Sequence, residues 1–249
     1  MSQAFREANA EFDAYATKYD ATLAQGISIS GENKNYFARG RVAWLARCLS
    51  AMGESPRRIM DFGCGTGSSI PFLLNEFVLA SVLGVDVSAE SLAVAERLYG
   101  GARVQFSPRV EEQSAKHFDL AFCNGVFHHI PLIDRSAAIN SVYSSLRSGG
   151  LFAFWENNSW NPGTRYIMSR IPFDRDAVTL SPPTASRLLR AGGFEIIRTD
   201  FLFFFPRCLS WLRFLERNLT DFALGAQYQI LCRKPVGPRQ ASIRTLGVA

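Results

Sequence analysis

Between residues 57 and 233 the chain alternates short apolar runs with stretches of helical period. The apolar runs are RIMDF (58–62), SVLGVD (81–86), RVQF (103–106), FDLAFCN (118–124) and LFAFWE (151–156), with two more at 195–205 and 227–233. They hold apolar residues in succession rather than at every second place, the pattern of strands covered on both faces. Between them lie helices with readable ends. Pro71 falls in a first turn, before the stripe of Leu73, Leu74 and Phe77. Ser88 caps AESLAVAERLY, which stops at Gly100 and Gly101. Asp134 opens a helix striped by Ile139, Val142, Tyr143 and Leu146 and ended by Gly149, and Ser181 with Pro182 starts one ended by Gly192 and Gly193. Strands alternating with helices predict an α/β fold with a Rossmann-like, doubly wound sheet of about seven strands, mostly parallel, with the last strand antiparallel.

Residues 1–54 read as helical. Phe12, Tyr15, Ala16 and Tyr19 recur at helical spacing, and a second helix, about Lys34 to Met52, sets Phe37, Trp44, Leu45, Cys48, Leu49 and Met52 on one side. Arg41 shares that side, where an arginine needs an anionic partner. The expected organisation is a helical cap or lid over 1–54, a Rossmann-like domain over 55–235 with an insertion at about 157–181, and a loose tail over 236–249.

Composition narrows the class. The chain has 249 residues, 47% hydrophobic and 20% charged, as a core-burying protein does. No apolar run approaches the roughly 18 residues that span a bilayer, and the N-terminus lacks a secretory signal, so a cytoplasmic location is expected. Five scattered cysteines and three histidines offer neither a disulfide framework nor a metal site. Up to residue 160 there are 14 basic and 16 acidic residues, and after it 13 basic and 6 acidic, most of the basic ones Arg. That half suits an anionic acceptor or surface, or is simply a solvated face.

In an open α/β sheet, ligands sit at the carboxyl ends of the strands. The first strand ends in Asp61-Phe62-Gly63-Cys64-Gly65-Thr66-Gly67 and runs into a helix. Glycines there let the backbone approach a ligand and aim helix N–H groups at it. The spacing is not the GxGxxG of a dinucleotide site, and Asp86, ending the second strand, is placed for ribose hydroxyls.

In these residues the chain resembles the class I S-adenosylmethionine-dependent methyltransferases, through four elements in order: IMDFGCGTG, VLGVDVS, FDLAFCNGVFHHI and LRSGGLFAFWE. The resemblance implies that Asp61, Gly63, Cys64, Gly65 and Gly67 surround the methionine part of S-adenosylmethionine, with Asp86 and Val87 at the ribose. Asn124 and Gly125 would lie beside the sulfonium, and Arg41 would pair with the cofactor carboxylate. The adenine contact has no counterpart, because Pro108 and Arg109 stand where an Asp is common.

A base is needed when the acceptor is a hydroxyl, an ammonium or a carbon acid. His128 and His129 follow the fourth strand where a base would stand, and the sequence leaves open which faces the acceptor. Glu156 ends the fifth strand and is the second candidate. Asn158, Trp160, Arg165, Tyr166 and Arg170 in the insertion, with Phe173, suit a ringed or anionic acceptor, and Tyr15 and Tyr19 would close the lid. The stretch FLFFFPRCLSWLRFLERNL sets Cys208, Trp211, Leu212, Leu215 and Leu219 at α-helical spacing among Arg207, Arg213 and Arg217. Its readings are peripheral contact with an anionic membrane, packing on the sheet, or a dimer contact. The expectation is methyl transfer to a small molecule, a natural-product, sugar or lipid-linked intermediate, by a monomer or homodimer. Nucleic acid is disfavoured, having no basic run interleaved with aromatics. The rivals are a nicotinamide-dependent oxidoreductase and a non-catalytic Rossmann-like binding module.

Overall fold

A computed structural model describes residues 26–110, 117–171 and 177–237. Its elements in chain order are α1 (Lys34–Ala51), β1 (Arg58–Phe62), α2 (Ile70–Glu76), β2 (Ser81–Val85), α3 (Ala89–Tyr99), β3 (Val104–Ser107), β4 (Phe118–Asn124), α4 (Arg135–Ser145), β5 (Leu146–Asn157), α5 (Pro162–Arg170), α6 (Pro182–Ala191), β6 (Glu195–Leu202), a 3-10 helix (Arg207–Asn218) and β7 (Gln227–Arg233). The strands form one sheet in the order β3-β2-β1-β4-β5-β7-β6. All neighbours pair in parallel except β7, which is antiparallel to β5 and β6. The strand order reverses between β1 and β4, and a crevice opens there at the carboxyl edge.

Alternation along the strands explains the two-sided core. Ile59, Leu120, Phe122, Ala153, Trp155 and Leu231 face one side of the sheet, where Val42, Leu45, Cys48 and Leu49 of α1 cover them. Met60, Ala121, Cys123, Phe152, Phe154 and Ile230 face the other, covered by Ile139 and Val142 of α4 and Ala185 and Leu189 of α6. Both faces are dry, so the strands read as continuous apolar runs.

The predicted cap at Ser88 holds, its hydroxyl accepting the Ser91 N–H. Two caps that were not predicted are Asn33, which accepts from Tyr36 at the start of α1, and Asn161, which accepts from Thr164 at the start of α5. Gly149 instead falls inside β5, at φ +75°, because α4 already ends at Ser145 and residues 146–150 extend the strand. Tyr15 and Tyr19 lie outside the described residues. Within 1–54, α1 is a layer of the sheet itself, its Leu45 and Leu49 fully buried.

Replacing Leu45 by Ala should therefore lower global stability by about 2–5 kcal/mol, read as a single shifted denaturant transition. A loss under about 0.5 kcal/mol, or a separate early transition, would mean that α1 is a detachable cap.

Candidate active site

The crevice floor is set by backbone strain that only glycine relieves. Gly63 has φ +72°, and a Cβ on it would lie 2.3 Å from Val126 Cγ2. Gly67 has φ +79°, with Tyr99 pressed where a Cβ would be. The two loops at this edge are cross-linked by one carboxylate: Asp86 accepts the Gly65 N–H at 2.8 Å and the Ser88 N–H at 2.9 Å. Exposed Val87 follows it, and the Cys64 side chain is buried beside the loop.

Asp61 is buried, and its Oδ2 has no hydrogen-bond partner. Burial, reinforced by Asp86 and opposed by Arg41, raises its carboxyl to about 7. Arg41 is buried too, and its Nη1 donates to Gln227 Oε1 at 2.9 Å. A buried oxygen with no donor, beside a buried guanidinium, is a pair of opposite charges waiting for a zwitterion. The α-ammonium and α-carboxylate of S-adenosylmethionine carry those charges, so Asp61 and Arg41 fit the methionine end of this cofactor. Asp86 retains lone pairs for ribose hydroxyls, since each of its oxygens accepts a single backbone N–H in these bonds.

One cleft joins Arg41, Ser68, Asn124, Gly125, His128 and His129. The Gly125 N–H donates to the Trp155 carbonyl at 2.9 Å, tying the loop after β4 to β5. Glu156 lies beneath that loop rather than in the cleft: it is 2% exposed, Oε1 accepts the Phe127 N–H at 2.8 Å, and Oε2 meets His128 Nδ1 at 2.6 Å. This corrects its placement as a residue pointing at the acceptor. Strand alternation turns Glu156 to the face opposite Asn157, and Asn157 is the one that lines the cleft. A carboxylate only accepts, so Nδ1 of His128 carries the proton and Nε2 is the ring's acceptor. The His129 ring lies against His128, with centroids 4.0 Å apart and planes tilted by 47°.

The insertion presents a different face from the one expected. Asn158 is fully buried, and its amide donates to the carbonyls of Ala223 at 2.9 Å and Gly225 at 2.8 Å while its oxygen accepts the Trp160 N–H. It clamps a loop and does not reach the cleft. Trp160, Arg165, Tyr166 and Arg170 lie on the exposed side, Arg170 over the Tyr166 ring at 4.8 Å. The cleft is lined from α5 by Thr164, Ile167 and Met168, and then by Ile171. The spacing 164, 167, 168, 171 is a helical stripe that was readable once Asn161 was taken as the cap. Gln227, which bridges Arg41 and Asn157, was missed because a glutamine at a strand start carries no signal of its own. Phe173 lies outside the described residues.

Residues 60–152 match the family model described as a methyltransferase domain. Residues 60–152 therefore carry a methyltransferase domain. The domain is 28% identical over 149 residues to a ubiquinone biosynthesis O-methyltransferase of Pseudomonas putida, covering 53% of this chain and 60% of that one. It is 30% identical over 141 residues to a trans-aconitate 2-methyltransferase of Methylobacterium nodulans, covering 55% and 50%. The chain thus spans three fifths or less of these relatives' lengths. A methyltransferase of Archaeoglobus fulgidus shares the fold, with a TM-score of 0.61 at 17% identity over 81% of this chain and 95% of that one.

Asp61 also gives the methyltransferase domain a pH signature. Its carboxyl is raised from 3.8 to about 7 on folding, so the folded state holds this proton more tightly than the unfolded chain. Its contribution to stability then falls as pH rises from about 4 through 7. Denaturant titrations at pH 5 and pH 8 should show this loss, by a few kcal/mol, in the native chain and not in Asp61→Asn. The same pH dependence in both would contradict the assignment.

Proposed function

We propose that the protein transfers a methyl group from S-adenosylmethionine to a hydroxyl of a small molecule, with His128 as general base. The observation that carries the reading is the buried pair of Glu156 and His128, closed at 2.6 Å beside the Asn124–Gly125 loop. When bound, the sulfonium supplies an already activated methyl group. What the chain must add is orientation, exclusion of water and, for a hydroxyl acceptor, removal of a proton. Nε2 of His128 takes that proton. Glu156 holds the ring in the one tautomer that leaves Nε2 able to accept, and stabilises the imidazolium that results. An acceptor that is already a carboxylate would leave the dyad without a task. The name of the Pseudomonas putida relative, an O-methyltransferase, supports an oxygen acceptor.

In this reading Asp61 and Arg41 hold the methionine end, Asp86 and Val87 the ribose, and Gly63, Cys64, Gly65 and Gly67 the surface between. Asn124 and Gly125 lie beside the methyl group. The acceptor pocket is built by Phe37, Thr164, Ile167, Met168 and Ile171, a mostly apolar wall suited to a ring or an alkyl chain. We place the protein in the cytoplasm; among the described residues no helix is long and apolar enough to cross a membrane. Neither rival fits as well. A nicotinamide oxidoreductase would seat its pyrophosphate on a GxGxxG turn, which the Gly63, Gly65, Gly67 spacing does not provide, and a passive binding module has no use for the dyad.

The test is conversion of S-adenosylmethionine to S-adenosylhomocysteine against parallel panels of phenols, aliphatic alcohols and amines. Turnover is expected with a hydroxyl acceptor. His128→Ala should lower kcat by about a hundredfold or more, with the affinity for S-adenosylhomocysteine changed less than about threefold. Glu156→Gln should lower kcat less and shift its pH profile. Turnover confined to amines, or a His128→Ala enzyme of full activity, would overturn the reading. Binding the cofactor ammonium requires Asp61 ionised, so the affinity for S-adenosylhomocysteine should rise with pH up to about 7 in the native chain and not in Asp61→Asn.

A further inference from the structure

The segment after β6 carries a surface that the chemistry above does not use. Residues Arg207–Asn218 form 3-10 turns broken by a kink at Leu209, and not the α-helix that their spacing suggests. With three residues per turn, every third residue shares a face, so the row beyond the kink is Trp211, Phe214 and Arg217. All three are exposed, Trp211 at 69% and Phe214 at 70%. Two more apolar side chains of the following loop, Phe222 and Leu224, are exposed as well, at 58% and 64%.

The inward row keeps the helix from rolling over to hide these rings. Glu216 accepts the N–H groups of Phe204 and Phe205 at 3.1 and 3.0 Å. Arg213 donates to the Phe205 carbonyl and to Glu32, and lies over the Tyr36 ring at 4.5 Å. Turning the helix would strip a carboxylate and a guanidinium of their partners, which is dearer than leaving two rings in water.

A second observation adds charge to the same face. Arg217, the end of the exposed row, opens onto a surface cavity of about 410 Å³ lined with Trp44, Arg47, Cys48, Ala51 and Arg198. The Arg198 charge is matched by Asp200, which takes its guanidinium at 2.6–2.9 Å. Arg47 and Arg217 have no ion-pair partner among the described residues. Two uncompensated guanidinium groups at the mouth of an apolar cavity, next to an outward row of tryptophan and phenylalanine, match a phosphate headgroup above acyl chains.

We propose that this face docks the protein onto a membrane containing anionic phospholipid. Trp211 and Phe214 enter the boundary between headgroups and chains, while Arg47 and Arg217 meet the phosphates. Arg213 ties the helix to Glu32 and Tyr36 at the start of α1, the helix that contributes Lys34, Phe37 and Arg41 to the cleft. The docked face and the cleft mouth therefore share one rigid element.

The experiment is co-sedimentation of the full chain with vesicles of phosphatidylglycerol and phosphatidylcholine, and with phosphatidylcholine alone. Binding is expected to the anionic vesicles, weakening as salt is raised. The double change Trp211→Ser and Phe214→Ser should weaken it about tenfold or more. Arg47→Gln with Arg217→Gln should weaken it about as much and flatten the salt dependence. Leu79→Ser, an equally exposed apolar residue on the turn before β2, should leave it unchanged. Retained binding of S-adenosylhomocysteine would show that each variant is folded. Absence of the native chain from the anionic pellet, or equal binding by all variants, would overturn the proposal. So would a dimer that Trp211→Ser and Phe214→Ser convert to monomer without any vesicle binding, which would make the face a contact between copies.

Discussion

A carboxylate buried under a sheet edge must be fully partnered or it will not stay charged, and Glu156 is such a group. Its two oxygens take the Phe127 N–H and His128 Nδ1, so the loop after β4 has one conformation in which both are satisfied. The Gly125 N–H adds a third tether, to the β5 backbone. These bonds hold the place of Asn124 and Gly125 and the orientation of the His128 ring, against which His129 is tilted. The dyad is also why β5 must run on to Asn157, since a strand ending a residue or two earlier would leave the loop with nothing beneath it.

The other end of the crevice obeys a different electrostatic logic. Asp61 is held in a dry site with one oxygen lacking a donor, and Asp86 close by makes ionisation harder. Arg41 opposes this, but burial and Asp86 together outweigh it. Such a site is poised: uncharged or strained by itself, and satisfied by a ligand that brings an ammonium and a carboxylate together. At one end the hydrogen bonds are spent within the protein, on the His128 ring, and at the other Asp61 Oδ2 is left without a donor.

Most of the fold was legible because both faces of the sheet are covered. Continuous apolar runs gave β1, β4 and β7 to the residue, and the capping side chain of Ser88 gave the start of α3. The glycine loop was legible because positive φ at Gly63, Gly65 and Gly67 leaves few alternatives to glycine. What sequence reading placed wrongly was the direction of side chains. Glu156 and Asn158 share one side of the strand's course and turn away from the cleft, while Asn157 between them turns toward it. In α5 the aromatic and arginine residues drew attention, yet the smaller stripe of Thr164, Ile167 and Met168 faces inward. The segment after β6 differs in a third way: its spacing fits 3.6 residues per turn, but it is wound at three per turn with a kink at Leu209, and Glu216 and Arg213 bond back to the chain before it. Asn158 was hidden for another reason, since its bonds to the Ala223 and Gly225 carbonyls are long-range and periodicity does not encode them.

The central claim is that the dyad and the open charges address two ends of one bound molecule. A crystal structure of the protein with S-adenosylhomocysteine tests it most directly. The account predicts the amino acid end between Asp61 and Arg41, the ribose on Asp86, and the sulfur over Gly125 on the side from which His128 Nε2 can reach an acceptor. A ligand whose sulfur lies away from that histidine, or whose charged end avoids Asp61 and Arg41, would contradict it.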